Sequence, residues 1–217
     1  MKITAIETLS ADAGWRTFSF LKVTTDTGIT GWSEYNESFS SAGLTQVIEA
    51  LAPIVIGRDP RRIELVVSAL RLLTRQVPGG LTPQAIAAIE NALLDIKGKD
   101  LGVPVYALFG GPVRERIPLY WSHTGTYRSR NAAMMGVPPL RSYDDLARHG
   151  EEIRQRGFKA LKTNMLASTE AGLVTIGAGF GRVAGWPELN WDAATVRAAA
   201  DTLAAAVQRI SRAAVER

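Results

Sequence analysis

The chain has 217 residues, of which 46% are hydrophobic and 21% are charged, and its formal net charge is +4. This profile is typical of a globular protein and argues against disorder, and no apolar run is long enough to span a membrane. Basic residues are scattered among acidic ones, so we expect no nucleic-acid partner. The absence of cysteine excludes disulfides and thiolate metal sites. Since the N-terminus also lacks signal-peptide features, we expect a cytoplasmic protein.

The first 35 residues predict a small antiparallel sheet. Residues 3–9, 17–25 and 29–35 are rich in the β-branched and aromatic side chains that strands favour. Residues 26–28, with the sequence Asp-Thr-Gly, predict a tight turn, because glycine tolerates the positive φ that hairpin turns need. The sequence therefore predicts a three-stranded antiparallel meander.

The spacing of apolar residues then becomes helical. Three helices are predicted by the stripes over residues 44–51, 63–70 and 86–96. We expect the second helix to begin at Asp59-Pro60, with Asp59 as its cap and Pro60 in its first turn. The third is expected to begin at Thr82-Pro83 and to end at Gly102. A sheet followed by a helical bundle predicts an α+β domain.

The pattern changes again after residue 112. Residues 117–122 and 158–162 predict strands, and residues 143–156 and 193–210 predict helices. This alternation of strand and helix is typical of a parallel sheet or barrel.

The stretch 165–192 is longer than an ordinary connection after a strand. Long loops that follow parallel strands are often functional. We therefore expect two domains: an α+β domain over residues 1–111, and about two βα units over residues 112–217.

Four segments resemble the mandelate racemase/muconate lactonizing type of the enolase superfamily. They are the opening from Met1 to Glu34, AIENALLDIKGK at residues 88–99, GVPVYALFGG at residues 102–111 and GFKALKTN at residues 157–164. Each segment alone is of a common kind. Their order and spacing over residues 1–164 carry the resemblance.

The resemblance implies a capping domain followed by a (β/α) barrel, here incomplete. In that family Mg²⁺, held by three acidic residues, neutralises the substrate carboxylate while a base removes the α-proton. The three acidic residues come from the third, fourth and fifth barrel strands, which we expect to be missing here. We therefore expect a truncated, catalytically inactive family member that binds no Mg²⁺, with no metal ligand assigned. Its C-terminal half is expected to be poorly ordered or aggregation-prone.

The resemblance also implies two candidate catalytic positions. Lys162 matches the first lysine of the family's Lys-x-Lys motif, at the end of the second barrel strand, where it could neutralise a carboxylate. Asn164 replaces the second lysine, and an amide has no useful basicity at neutral pH. Proton abstraction would then depend on another residue, which favours a sugar-acid dehydratase over a lysine-based racemase.

Substrate-binding candidates lie on two capping loops, residues 13–16 and 36–39, and after the first barrel strand. They are Trp15, Arg16, Asn36, His123, Tyr127 and Arg128. The arginine of the first loop could pair with a substrate anion, and the tryptophan beside it could exclude solvent. Each candidate also has a structural alternative, as a surface, loop or packing residue.

Three functions remain open from the sequence. The first is a Mg²⁺-dependent lyase or isomerase that dehydrates or epimerises a small carboxylate, such as a sugar acid. The second is a non-catalytic subunit that forms a homo-oligomer or binds another chain. The third is a small-molecule binding module that uses the capping loops alone. Whether this chain is itself an enzyme stays open.

Overall fold

The computed structural model describes residues 1–38, 41–164, 166–169, 172–175 and 193–215. The chain divides into two compact units, Met1–Glu115 and Arg116–Arg217. Within the described residues, no helix is both long enough and apolar enough to cross a membrane.

The first unit begins with the predicted antiparallel meander. Its strands are β1 (Ile3–Asp12), β2 (Thr17–Thr25) and β3 (Thr30–Tyr35), in the order β1-β2-β3. Side chains alternate between the two faces, as the pleat of a strand requires, so that Leu21 and Val23 are fully buried. The expected sheet is confirmed.

Three helices follow this sheet, as predicted, and the first and third of them pack against it. They are α1 (Leu44–Val55), α2 (Ile63–Leu73) and α3 (Leu81–Leu101), followed by a 3-10 helix (Val105–Phe109). The apolar stripes form a single core with the sheet, in which Ile48, Leu70 and Ile89 are fully buried. The unit therefore has the expected α+β architecture.

The start of α2 differs from the prediction. The helix begins at Ile63 and its N-cap is Arg62, so Asp59 does not cap it. The Asp59 carboxylate instead accepts hydrogen bonds from the backbone N–H and the Nε of Arg61, both at 3.0 Å. The hydrogen bond from the Arg61 side chain lowers the Asp59 pKa to about 2. Asp59 therefore closes a turn ahead of the helix.

Two side chains of α3 cover the outer edge of β3. Asp95 Oδ2 accepts a hydrogen bond from the Trp32 backbone N–H at 2.8 Å. Lys99 Nζ donates to the Thr30 carbonyl at 2.8 Å and to Asp95 at 2.7 Å. Two backbone groups at the start of β3, the Thr30 carbonyl and the Trp32 N–H, thus have partners on the neighbouring helix.

The second unit contains a parallel strand pair and several helices. Its elements are β4 (Trp121–Thr124), α4 (Thr126–Arg130), α5 (Ala132–Met135), α6 (Tyr143–Gln155), β5 (Leu161–Thr163), β6 (Leu166–Thr169), β7 (Gly172–Thr175) and α7 (Ala193–Val215). Strands β4 and β5 are parallel neighbours, as the predicted βα order requires. The helices α4 and α5 were not predicted, because each is too short to show a periodic stripe.

Both parallel strands are shorter than predicted. The first begins at Trp121 rather than at residue 117, because Ile117 and Leu119 are exposed and Pro118 lacks the N–H that a ladder needs. The second begins at Leu161 rather than at residue 158.

The predicted loop at 165–192 is wrong in its first part. Strands β6 and β7 form an antiparallel hairpin there, with Ser168 opposite Leu173. Leu166 and Leu173 are buried with Leu140 and Leu146 in the small core of this unit. These contacts stabilise the hairpin, and they could not be recognised from the sequence of the segment. The remainder of that stretch lies outside the described residues.

Candidate functional site

The carboxyl ends of β4 and β5 lie side by side. In the register of the pair, Thr124 is opposite Thr163, and the Thr163 hydroxyl donates to the Thr124 carbonyl at 3.0 Å. Asn164 Nδ2 donates to the Thr126 hydroxyl at 3.1 Å. Asn164 is thus joined to the first turn of α4, and Thr126 is a site neighbour that no sequence pattern predicted.

His123 has an unusual backbone conformation at the end of β4. Its φ is +54°, in the left-handed region that side chains other than glycine rarely adopt. The imidazole stacks on the Tyr127 ring, with centroids 4.9 Å apart, and Nδ1 lies 2.7 Å from the Ser122 hydroxyl. Residues with such backbone conformations are common at functional sites. The conformation of His123 therefore supports its predicted role in substrate binding, which stays a prediction.

Lys162 lies on the exposed side of β5. Its neighbours Leu161 and Thr163 are half-buried, whereas Lys162 is exposed, which follows the alternation of a strand. Within the described ranges its ammonium group has no ion-pair partner. It is therefore accessible to an anionic ligand, and its proposed catalytic role stays a prediction.

Arg128 has a partner within the fold. Its guanidinium binds the Glu152 carboxylate, with distances of 2.8 Å to Oε1 and 2.6 Å to Oε2. The hydrogen bond from Arg128 lowers the Glu152 pKa, so Glu152 stays ionised. The substrate-binding role of Arg128 stays a prediction, and the structure gives it an additional role in joining α4 to α6.

His149 lies beside the same carboxylate, buried beneath β4. Its ring meets the Trp121 ring edge-on at 5.4 Å, and Nδ1 is 3.3 Å from Glu152 Oε2. Burial lowers the His149 pKa, and the nearby Arg128 charge lowers it further. Sequence reasoning did not select His149, although Glu152 is three residues away on one helix face, a spacing that favours contact.

The first capping loop is fixed by its own aromatic contacts. Trp15 packs edge-on against Phe18 at 5.8 Å, and the Arg16 guanidinium carbon lies 3.9 Å from the Phe18 ring centroid. Arg16 also forms an ion pair with Glu34 at 2.9 Å. The anion-binding role of Arg16 and the solvent-excluding role of Trp15 stay predictions.

The second capping loop is fixed at the start of α1. Glu37 accepts hydrogen bonds from the backbone N–H groups of Gly43 at 2.8 Å and Thr45 at 2.7 Å. Burial raises the Glu37 pKa, but these hydrogen bonds outweigh it and hold the pKa below its ordinary value. Asn36, the predicted substrate ligand, is exposed beside Glu37. Phe39 lies outside the described residues.

The described residues do not provide the metal site that the resemblance implies. Across those ranges, no group of three or more His, Asp or Glu side chains could hold a metal ion. Glu152 and Glu37, the best-connected carboxylates of the two units, are occupied by hydrogen bonds from protein groups.

Residues 4–110 match the family described as mandelate racemase/muconate lactonizing enzyme, N-terminal domain. A D-galactonate dehydratase from Xanthomonas euvesicatoria pv. vesicatoria is 44% identical over 120 residues, which are 55% of this chain and 31% of that protein. A D-galactonate dehydratase from Pectobacterium atrosepticum is 42% identical over the same length.

Solved structures match the whole chain. A Burkholderia xenovorans protein provisionally named an L-alanine-DL-glutamate epimerase is 40% identical with a TM-score of 0.87, over 99% of this chain and 53% of that one. The same protein has been solved with magnesium and fumarate bound. A Mesorhizobium loti protein provisionally named a dehydratase is 28% identical, with a TM-score of 0.74 over 99% of this chain and 51% of that one. This chain therefore spans about half the length of these structures.

The sheet, the three helices and the parallel strand pair agree with these relationships. The three-stranded antiparallel sheet with its helices corresponds to a capping domain, and β4 and β5 fit the start of a barrel. Residues 4–110 of this chain therefore form an N-terminal domain of the mandelate racemase/muconate lactonizing enzyme type.

Proposed function

We propose that this chain supplies the capping domain and the first two strand ends of a sugar-acid dehydratase site. The observation that carries the proposal is the parallel pairing of β4 and β5, which brings His123, Lys162 and Asn164 to one end of the pair. The D-galactonate dehydratases among its relatives support a sugar acid as the substrate. The cytoplasmic setting predicted above remains part of the proposal.

The side chains at the ends of these strands suit recognition of a hydroxylated carboxylate. The Lys162 ammonium group would pair with the carboxylate, and the Asn164 amide would exchange hydrogen bonds with substrate hydroxyls. Asn164 cannot remove an α-proton, because an amide is not basic, so we expect proton abstraction to depend on another residue. The magnesium dependence of the full reaction is proposed from the family, and we expect the described residues alone to bind substrate without turnover.

Binding and turnover can be measured on the purified chain. We expect D-galactonate to bind weakly by calorimetry and Lys162→Gln to weaken that binding. Lys159→Gln, at an exposed lysine in the same segment, is the control and should leave it unchanged. No 2-keto-3-deoxy product is expected when Mg²⁺ is added. Equal binding by the two variants would contradict the proposed site, and turnover with stoichiometric Mg²⁺ binding would contradict the proposed inactivity.

A second candidate function is a non-catalytic subunit that associates with another chain, including a second copy of this one. The segment from residue 101 to residue 113 of the first unit favours it, because Tyr106 is 55% exposed, Phe109 70% and Val113 98%. Large exposed apolar patches mark association surfaces. Sedimentation of the pure chain tests the association of two copies: a stable oligomer is expected, and a monomer at every concentration would contradict self-association.

A further inference from the structure

One carboxylate in the second unit, that of Glu152, contacts three side chains. Glu152 binds the Arg128 guanidinium through both of its oxygens. It also forms an ion pair with Arg156 at 3.0 Å and lies 3.3 Å from Nδ1 of buried His149. Paired, charge-assisted contacts of this kind hold a guanidinium in one orientation.

The Arg128–Glu152 pair is partly shielded from water. The exposed fractions of the two side chains are 14% and 28%, so solvent screens their attraction less than it would on an open surface. Helix α4, which carries Arg128, has only five residues. A helix of this length has little stability of its own and depends on tertiary contacts. The pair with Glu152 is an ionic contact between α4 and α6.

The residues beside Arg128 make the contacts of the candidate site. The Thr126 hydroxyl accepts the hydrogen bond from Asn164, and the Tyr127 ring stacks on His123. A rotation of α4 would break both contacts at once. The orientation of α4 therefore decides whether the strand ends keep their arrangement.

We propose that Glu152 is a positioning residue that, through Arg128, holds the turn at residues 123–128 in the geometry of the candidate site. The relevance of this role to substrate rests on the proposed function, whereas the positioning itself does not. With glutamine in place of Glu152, Arg128 loses one of its two acceptors and the ionic attraction, because an amide is neutral and offers a single acceptor oxygen. The turn then moves, and the Tyr127 ring leaves His123.

The chain has two histidines, so the position of the His123 ring can be followed directly by NMR. The spectra are recorded well below the melting temperature. We expect Glu152→Gln to change the chemical shift of the His123 ring protons by most of the change that Tyr127→Ala produces. Glu151→Gln, at the exposed neighbouring carboxylate, is the matched control and should not move it. Arg156→Gln removes a third partner, leaves the Arg128 pair intact, and should also have no effect.

An unchanged His123 signal in folded Glu152→Gln would overturn the proposal, because a residue that only stabilises the unit lowers its melting temperature without moving that signal. If Glu152→Gln does not fold, Arg128→Lys keeps the charge and loses the paired contact. The same shift is then expected, and its absence overturns the proposal. Since no substrate is present, a failure of the D-galactonate binding experiment leaves this result unaffected.

Discussion

A Cβ atom at Gly31 would lie 2.1 Å from the carbonyl oxygen of Ala92 and 2.7 Å from a side-chain carbon of Ile96. Strand β3 and helix α3 therefore approach each other so closely that only glycine fits between them. The neighbour in the way is helix backbone, which cannot move aside as a flexible side chain could.

Gly31→Ala is expected to destabilise the first unit by about 3 kcal/mol, because overpacking forces the strand and the helix apart. The loss should appear as a lower midpoint in urea unfolding. Gly79→Ala is the control, since a Cβ there meets no atom within 4 Å. Equal midpoints for the two variants would contradict the close approach.

Glu37→Ala is expected to lower the free energy of unfolding by about 1 kcal/mol, as the loss of a helix cap does. The carboxylate accepts from two backbone N–H groups at the start of α1 and also from the Thr45 hydroxyl at 2.9 Å. Glu115→Ala, at an exposed carboxylate, should cost much less. Urea unfolding of both variants measures the difference, and similar costs would show that Glu37 does not cap α1.

Acidification should destabilise the second unit through His149. The pKa of His149 is lowered from 6.5 by burial first and by the Arg128 charge second, so the unfolded chain binds the proton more readily. Stability is fully present above pH 6.5 and falls as the pH drops from there toward the lowered pKa. Glu152, whose pKa is lowered from 4.5, also contributes to the free energy of unfolding, and that contribution is lost at more acidic pH.

The measurement is the unfolding free energy between pH 7.5 and pH 5.5, a range of about two units that separates histidine from carboxylate titration. His149→Gln should flatten the slope relative to the unaltered chain. An NMR titration of His149 should give a value below 6.5. A slope that persists in His149→Gln would assign the acid sensitivity to another group.

Gly125→Ala should destabilise the second unit through two separate effects. Gly125 has a φ of +83°, and its Cβ would lie 2.7 Å from Leu166 and 2.8 Å from Leu146. Gly157→Ala is the matched control, because its φ is +81° but nothing lies within 4 Å. We expect about 1 kcal/mol for the control, from the left-handed backbone alone, and more for Gly125→Ala. Thermal unfolding measures the loss of stability in each variant. Equal losses would show that the contacts with Leu166 and Leu146 add no cost at Gly125.

The regular part of the fold could be predicted from the sequence because its information is local. The stripe that contains Ile89 and Ile96 predicted α3, and both residues are fully buried. Asp59 was misassigned because the sequence Asp-Pro suits both a helix cap and a turn, and only the donors on Arg61 decide between them.

The two catalytic candidates were named from a family motif, and their roles stay predictions. Lys162 lies in β5 and Asn164 follows it, and these positions could be read from the sequence. Glu152 could not be, because its partner Arg128 lies 24 residues away on another helix. The contact depends on how α4 and α6 pack, which no periodic pattern encodes.

The capping of β3 by Asp95 and Lys99 has a consequence for association between molecules. A foreign strand that sought to extend the sheet would have to displace a carboxylate from the Trp32 amide and an ammonium group from the Thr30 carbonyl. These two contacts oppose strand addition at the start of β3, although TGWSEY is itself a strand-forming sequence. A cross-β aggregate that used this part of β3 as its template would have to break both of them first.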